Sequence, residues 1–391
     1  MRKETKWKPP GSLETLLNQA PFSSSGFDLN QSSPGQILES PHEITVEDHW
    51  RNQWASIFPA SQRIHTSIEY ANSCGFPEIP VPADLLLNMA LSFSLDPLSD
   101  YCRYQLDIEN ARQEALVQVG DTLKSYSRVE EVRNTSRGDA SVVSMTHILV
   151  NQREERVFTL LMRYYFDPVE VEPKALQSEE PHPAIHHFQR AAEFSSARFS
   201  KVSQFPVAPH SPLRTGDLIF HRGSRPIAWS ENLSISTLLQ ESHPIHWDTH
   251  RYGREGLIIS GGLIHSLVSA ISNRDFRQVI DEVVLHCSHL QPVSPGDQVG
   301  AISRILSAEP IDSRLEAVRV KTLGLKNFSS IKNLEDRFPS RLLKEKQRSR
   351  REIDEICTQE SPQLNGKIVL QSVRTLIRPR MNSDLKTQSP D

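Results

Sequence analysis

The stretch Leu263-Ile264-His265-Ser266-Leu267-Val268-Ser269-Ala270-Ile271 sets apolar side chains at offsets 0, 1, 4, 5 and 8, and Leu85-Leu86-Leu87-Asn88-Met89-Ala90-Leu91-Ser92-Phe93 does the same. That spacing is the stripe of a helix buried on one face. The surroundings repeat as well. Gly35 to His65 and Gly216 to His246 both span 30 residues, and the Gly120-Asp121 turn upstream of one long strand is matched by Gly296-Asp297. A sequence that repeats its helix and its turns in register is two copies of one unit.

Outward from the helices, each copy continues into β-branched and aromatic runs. The first has 124–132, 141–150 and 156–166; the second has 300–306, 315–323 and 367–377. The expected unit is a strand-poor opening, one buried helix and then consecutive long strands, hence an α+β fold with an antiparallel sheet wrapped over a helix. The expected organisation is a loose segment 1–33, a first unit 34–168, a linker 169–212 with a short helix near 184–200, a second unit 213–380 and a tail 381–391. The offset between copies grows from 176 at the Gly-Asp turns to about 211 at the last strand, so the second unit carries an insert of about 35 residues, near 327–361. Its Lys344–Glu352 run mixes both charges and reads as a solvated helical excursion, with contact to an anionic ligand as the alternative.

Composition removes several function classes. The chain has 391 residues, 44 Lys plus Arg against 48 Asp plus Glu, and a net charge of −4, which argues against a nucleic-acid partner. No run approaches the ~18–20 apolar residues of a membrane span. The N-terminal residues lack an apolar core behind their positive charge, so no secretory signal is expected. Cys74, Cys102, Cys287 and Cys357 show no paired or CxxC spacing, which indicates reduced thiols, a cytoplasmic chain and no zinc cluster. The histidines of the second copy, His243, His250, His265, His286 and His289 besides His246, form no HExxH pattern, and no metal site is expected.

The local words of the second copy, Glu241-Ser242-His243-Pro244-Ile245-His246 followed by Ser260-Gly261-Gly262-Leu263, resemble the MaoC-like hydratase/dehydratase family. Within it, Phe58-Pro59-Ala60, Tyr70-Ala71, Cys74-Gly75 and Gly120-Asp121-Thr122-Leu123 are similar to the double-unit mesaconyl-CoA hydratases, also called β-methylmalyl-CoA dehydratases. The resemblance covers about residues 34–380 and implies a tandem (double) hot-dog fold. It also implies an enzyme that adds or removes water across a 2-enoyl-CoA thioester, with the acyl-CoA as substrate and no separate cofactor. Pro244 and His246 fall on the family's Pro and His. Glu241 stands where the family has its catalytic Asp, and His243 where it has Asn.

The resemblance assigns Glu241 as the base on water and His246 as the group that orients the water or shuttles the proton. Gly261 and Gly262, opening the helix, are the expected donors to the thioester carbonyl. Asp248 is the reserve carboxylate. Taken alone, His246 would read as a structural histidine and Glu241 as a surface carboxylate; Pro244, the Gly-Gly turn and the repeat register favour the functional reading. The first copy has no carboxylate at the matching place, and Pro80 and Pro82 remove amide donors before its helix, so it is expected to shape the substrate cleft around a structural His65. A thioesterase and a non-catalytic acyl-thioester-binding protein remain alternatives. Sheet pairing between the copies within one chain is expected, and a homodimer on top of it is compatible with the sequence.

Overall fold

In a computed structural model of the chain, the described residues are 32–59, 62–95, 102–168, 212–328 and 338–380, with Leu29, Leu98 and a few positions between 174 and 205. The terminal segments, most of the linker with its expected helix, and part of the insert lie outside them.

The two apolar stripes are helices, α3 (Ala83–Leu95) and α6 (Gly261–Phe276). Both are buried nearly all round because a sheet wraps them and they pack on each other. Ahead of α3 come β1 (Ile37–Thr45), α1 (Asp48–Ile57) and α2 (Ile68–Ser73). After it come β2 (Cys102–Gln113), β3 (Thr122–Asn134), β4 (Ser141–Asn151), β5 (Arg156–Phe166) and the two-residue β6 (Lys174–Ala175). The second unit repeats this as β7 (Leu218–Pro226), α4 (Trp229–Leu238), α5 (Thr249–Gly256), α6, β8 (Asp281–His289), β9 (Gln298–Pro310), β10 (Leu315–Lys326) and β11 (Ile368–Pro379), with α7 (Arg350–Glu360) inserted before β11.

The sheet order β1-β3-β4-β5-β2-β8-β11-β10-β9-β7 is a palindrome of the two units. They join edge to edge through antiparallel β2 and β8, with Ile108 opposite Cys287 and Glu109 opposite His286. One chain therefore makes the continuous sheet that the repeat predicts, and the architecture is the double hot-dog. The stretch of helix Thr249–Phe276 that is apolar and long enough to cross a membrane is 78% buried in this core and breaks at Leu257–Ser260.

Two expectations need correction. The opening of each unit holds one strand, β1 or β7, and a strand absent from the expected runs, β2 or β8, follows each central helix directly. The insert is not merely solvated. Leu342, Leu343, Ile353, Ile356 and Cys357 pack against Ile302, Leu323, Leu325 and Ile368 of the sheet. The insert covers Ile368 at the start of β11, and the whole of that strand is buried although it carries Gln371, Ser372, Arg374, Thr375 and Arg378 among its apolar residues. Lys321, fully buried beneath the insert, donates to Gln347 at 3.1 Å and Gln371 at 2.9 Å.

Candidate active site

The site starts at the end of α4. Leu239 bonds back to Ile235, Gln240 to Thr237 and Glu241 to Ser236, and Gln240 takes the left-handed φ of 56°. This is a Schellman turn made without the usual glycine, and it reverses the chain so that Glu241 enters the interior. The following Pro244–His246 turn is a short 3-10 helix. Asn232 of α4 donates to the His246 carbonyl at 2.9 Å and fixes that turn.

His246 Nδ1 lies 2.9 Å from the Ile258 carbonyl, an acceptor only, so Nδ1 carries the proton that is donated there. Nε2 then faces Glu241 Oε1 at 3.2 Å. The approach is off-line, and Oε1 has no hydrogen-bond partner among the described residues. Burial pushes the Glu241 carboxyl above the usual carboxylate range, against the pull of His246 and Ser260. A proton on either Nε2 or the carboxyl would turn this contact into a hydrogen bond, so the two groups are placed to pass a proton between them.

Ser260 caps α6, and the Gly261 and Gly262 amides have no partner among the described residues. The two glycines do different work. Gly261 lines a cavity of about 450 Å³ together with His246, His243, Ile258 and Ile264. Its carbonyl accepts from His289 Nε2 at 2.8 Å, and an added Cβ would lie 2.8 Å from that ring. Gly262 sits in the crossing of the central helices, where a Cβ would be 2.4 Å from Asn88 Oδ1 and 2.9 Å from Leu91 Cδ1. A proline at 262 would therefore disturb the core, and such a variant cannot serve as a clean test of amide donation.

Asp248 does not join the site. Its Oδ1 accepts from the His250 and Arg251 amides at 2.9 and 3.0 Å as the N-cap of α5. Glu241 does not itself line the cavity but stands beside His246, which does, with Oε1 free to meet a water admitted next to that ring. His243 is also spoken for: Nδ1 accepts from the Ile245 amide at 3.3 Å, and Nε2 donates to the Cys102 carbonyl of β2 at 2.8 Å. It ties the second unit's site to the first unit's strand, a role hidden in the sequence because the partners stand 141 residues apart.

The first unit keeps the scaffold without the chemistry. His65 Nδ1 donates to the Pro80 carbonyl at 3.0 Å, as His246 does to Ile258, and burial pushes its pKa down to about 4. The space beside it is only about 20 Å³ and is walled by Trp54, Phe58 and Asp84. Asp84, His265 and Glu282 bring donor atoms within 4.8 Å of one another. Arg374 Nη1, 3.1 Å from Glu282 Oε2, already supplies the cation in this cluster. A second relay joins Asp275, His221 and Ser303 at 2.8 Å per bond. Ser303 is fully buried and does not line the cavity, so the relay is structural rather than nucleophilic.

A family model described as the FAS1-like dehydratase domain region matches residues 34–160. Mesaconyl-CoA hydratase of Cereibacter sphaeroides is 24% identical over 304 residues, 75% of this chain and 87% of that protein. β-Methylmalyl-CoA dehydratase of Chloroflexus aurantiacus is 24% identical over 305 residues, 75% of this chain and 86% of that protein. Among solved structures, a MaoC domain protein dehydratase from C. aurantiacus has a TM-score of 0.72 at 21% identity, covering 93% of this chain and 100% of that one. A conserved Mycobacterium tuberculosis protein described as a double hotdog fold has a TM-score of 0.64 at 16% identity, covering 90% and 99%. The fold is the double hot-dog of MaoC-like dehydratases, and the chain resembles, along three quarters of its length, proteins named as a hydratase and a dehydratase of CoA thioesters.

Proposed function

We propose that the protein is a hydro-lyase of the MaoC-like type, adding water to or removing it from a 2-enoyl-CoA thioester. The observation that carries this is the buried Glu241–His246 contact at 3.2 Å, set beside the unpartnered amides that open α6. Thioester carbonyl oxygen at those amides gains negative charge as water adds to the β-carbon, and amides at a helix N-terminus stabilise that charge. In the carboxylate–imidazolium form, Glu241 accepts the proton from water while its oxygen bonds to the β-carbon. His246 Nε2 delivers its proton to the α-carbon as the enolate collapses. The proton left on Glu241 then returns to His246 across the 3.2 Å gap, and dehydration is the reverse. The names of the related proteins suggest a short branched or dicarboxylic acyl group, as in mesaconyl-CoA and its hydrated counterpart β-methylmalyl-CoA. The cytoplasm is the compartment this reading assigns, in keeping with four free, buried cysteines.

The test is loss of enoyl-thioester absorbance with no free CoA released. Release of CoA would make the protein a thioesterase; binding with neither change would make it an acyl-thioester-binding protein.

A further inference from the structure

The cavity beside His246 has a direction. Side-chain exposure along its wall rises from 9% at His246 to 45% at Arg103 and 61% at Arg350. His246 therefore marks the closed end and the two arginines the mouth. Ile258, Ile259, Ile264 and Val293 make the wall apolar. Arg103 comes from β2 of the first unit, and Arg350 is the first residue of α7 in the insert. The insert is held in place by its apolar face on the sheet and by the Gln371 side chain, which bonds both Lys321 and the Arg348 backbone. Arg350 itself is held only loosely, 3.7 Å from Asp354, whereas Arg103 is ion-paired with Asp167, a contact a phosphate would share.

The other basic side chains on the described wall are histidines with assigned partners. His243 uses both nitrogens on backbone groups, burial pushes His289 toward its neutral form, and His246 faces Glu241 at 3.2 Å. A second carboxylate brought to the closed end would meet no free cation and would sit near Glu241, which is costly in a buried place.

Resting on the hydratase reading, we propose that the site is polarised: Arg350 and Arg103 at the mouth hold the phosphate groups of the thioester's carrier, and the closed end takes an uncharged, short or branched acyl chain rather than a dicarboxylic one. The insert is then a specificity element of the second unit. Guanidinium groups pair with phosphate through charge-assisted bonds, and at a mouth open to water the effect is modest and screened by salt.

The test compares wild type with Arg350→Gln on crotonyl-CoA, crotonyl-pantetheine (which lacks the phosphates) and mesaconyl-CoA, alongside calorimetric binding of CoA itself. The variant is expected to raise KM for crotonyl-CoA by roughly twofold to fivefold at low salt with kcat held, and the difference should shrink as salt rises. KM for crotonyl-pantetheine should be the same in both proteins, and wild type should have a higher kcat/KM for crotonyl-CoA than for mesaconyl-CoA. A KM change confined to mesaconyl-CoA, an equal change with the pantetheine ester, or a preference for mesaconyl-CoA overturns the proposal. If no thioester is hydrated, the hydratase reading fails by itself. CoA binding then still decides the clamp: a Kd weakened by a similar factor in Arg350→Gln upholds it, and an unchanged Kd overturns it.

Discussion

Gly262→Ala tests the helix crossing on which the site is built. The new Cβ would lie 2.4 Å from Asn88 Oδ1. Asn88 cannot swing away freely, because its Nδ2 donates to the Asp84 carbonyl at 2.8 Å and to Ser266 Oγ at 2.9 Å. Relief therefore breaks two buried hydrogen bonds, at about 1–1.5 kcal/mol each, or forces the helices apart, with overpacking costing about 1–3 kcal/mol. Alanine returns about 1 kcal/mol of helix propensity at most. The net expectation is a loss of about 1–3 kcal/mol, read as a lower urea midpoint at unchanged m-value. Asn88→Ala in the same chain removes the clashing oxygen, so the double mutant should lose about 1–2 kcal/mol less than the sum of the singles. Gly262→Ala within 0.5 kcal/mol of wild type, roughly the range of an ordinary surface change, would refute the reasoning.

Three further outcomes follow from other parts of the structure. Glu241→Gln should stabilise the protein relative to wild type as pH rises above the ordinary glutamate value: a buried acid with a raised pKa makes the native state bind more protons than the unfolded one, so stability falls through that window. Parallel stability–pH curves for the two proteins between pH 4 and 8 would contradict this. Lys321 has the opposite sign. Burial lowers its pKa to about 7, so stability should rise between about pH 7 and 10, and Lys321→Met should lose that rise in a denaturation series. Asp248→Ala should cost about 1 kcal/mol as a lost N-cap, while Asp248→Asn should leave both stability and turnover nearly unchanged; a large loss of turnover in Asp248→Asn would return Asp248 to the list of bases.

The central helices and most of the long strands were legible because their apolar residues are continuous or periodic, and the repeat pointed to pairing of the two copies, but the palindromic strand order was not legible. The four missed strands are different in kind. β2 carries Asp107 and Glu109, whose charges are met across the sheet by Arg163 and His286. β1 and β7 are edge strands that expose much of their length. Local pattern cannot show compensation that comes from another strand. At the site, the Glu241–His246 spacing and the Gly261-Gly262 turn were visible. The separation of the two glycines into cavity wall and helix crossing was not, nor was the capping role of Asp248. His243 to Cys102 and the arrival of Arg350 at the cavity mouth are products of tertiary packing, with no signal in either neighbourhood.

The central claim is that Glu241 and His246 act as one proton-holding unit in water addition. Its most direct measurement is the initial rate of enoyl-thioester loss across a panel of 2-enoyl-CoA esters for wild type, Glu241→Gln, His246→Ala and the double mutant, with free CoA followed in the same reaction. Expected are hydration by wild type without CoA release, loss of most turnover in either single variant with substrate binding retained, and a double variant little worse than either single. Wild-type-like turnover in both single variants, or losses that multiply in the double, would contradict it.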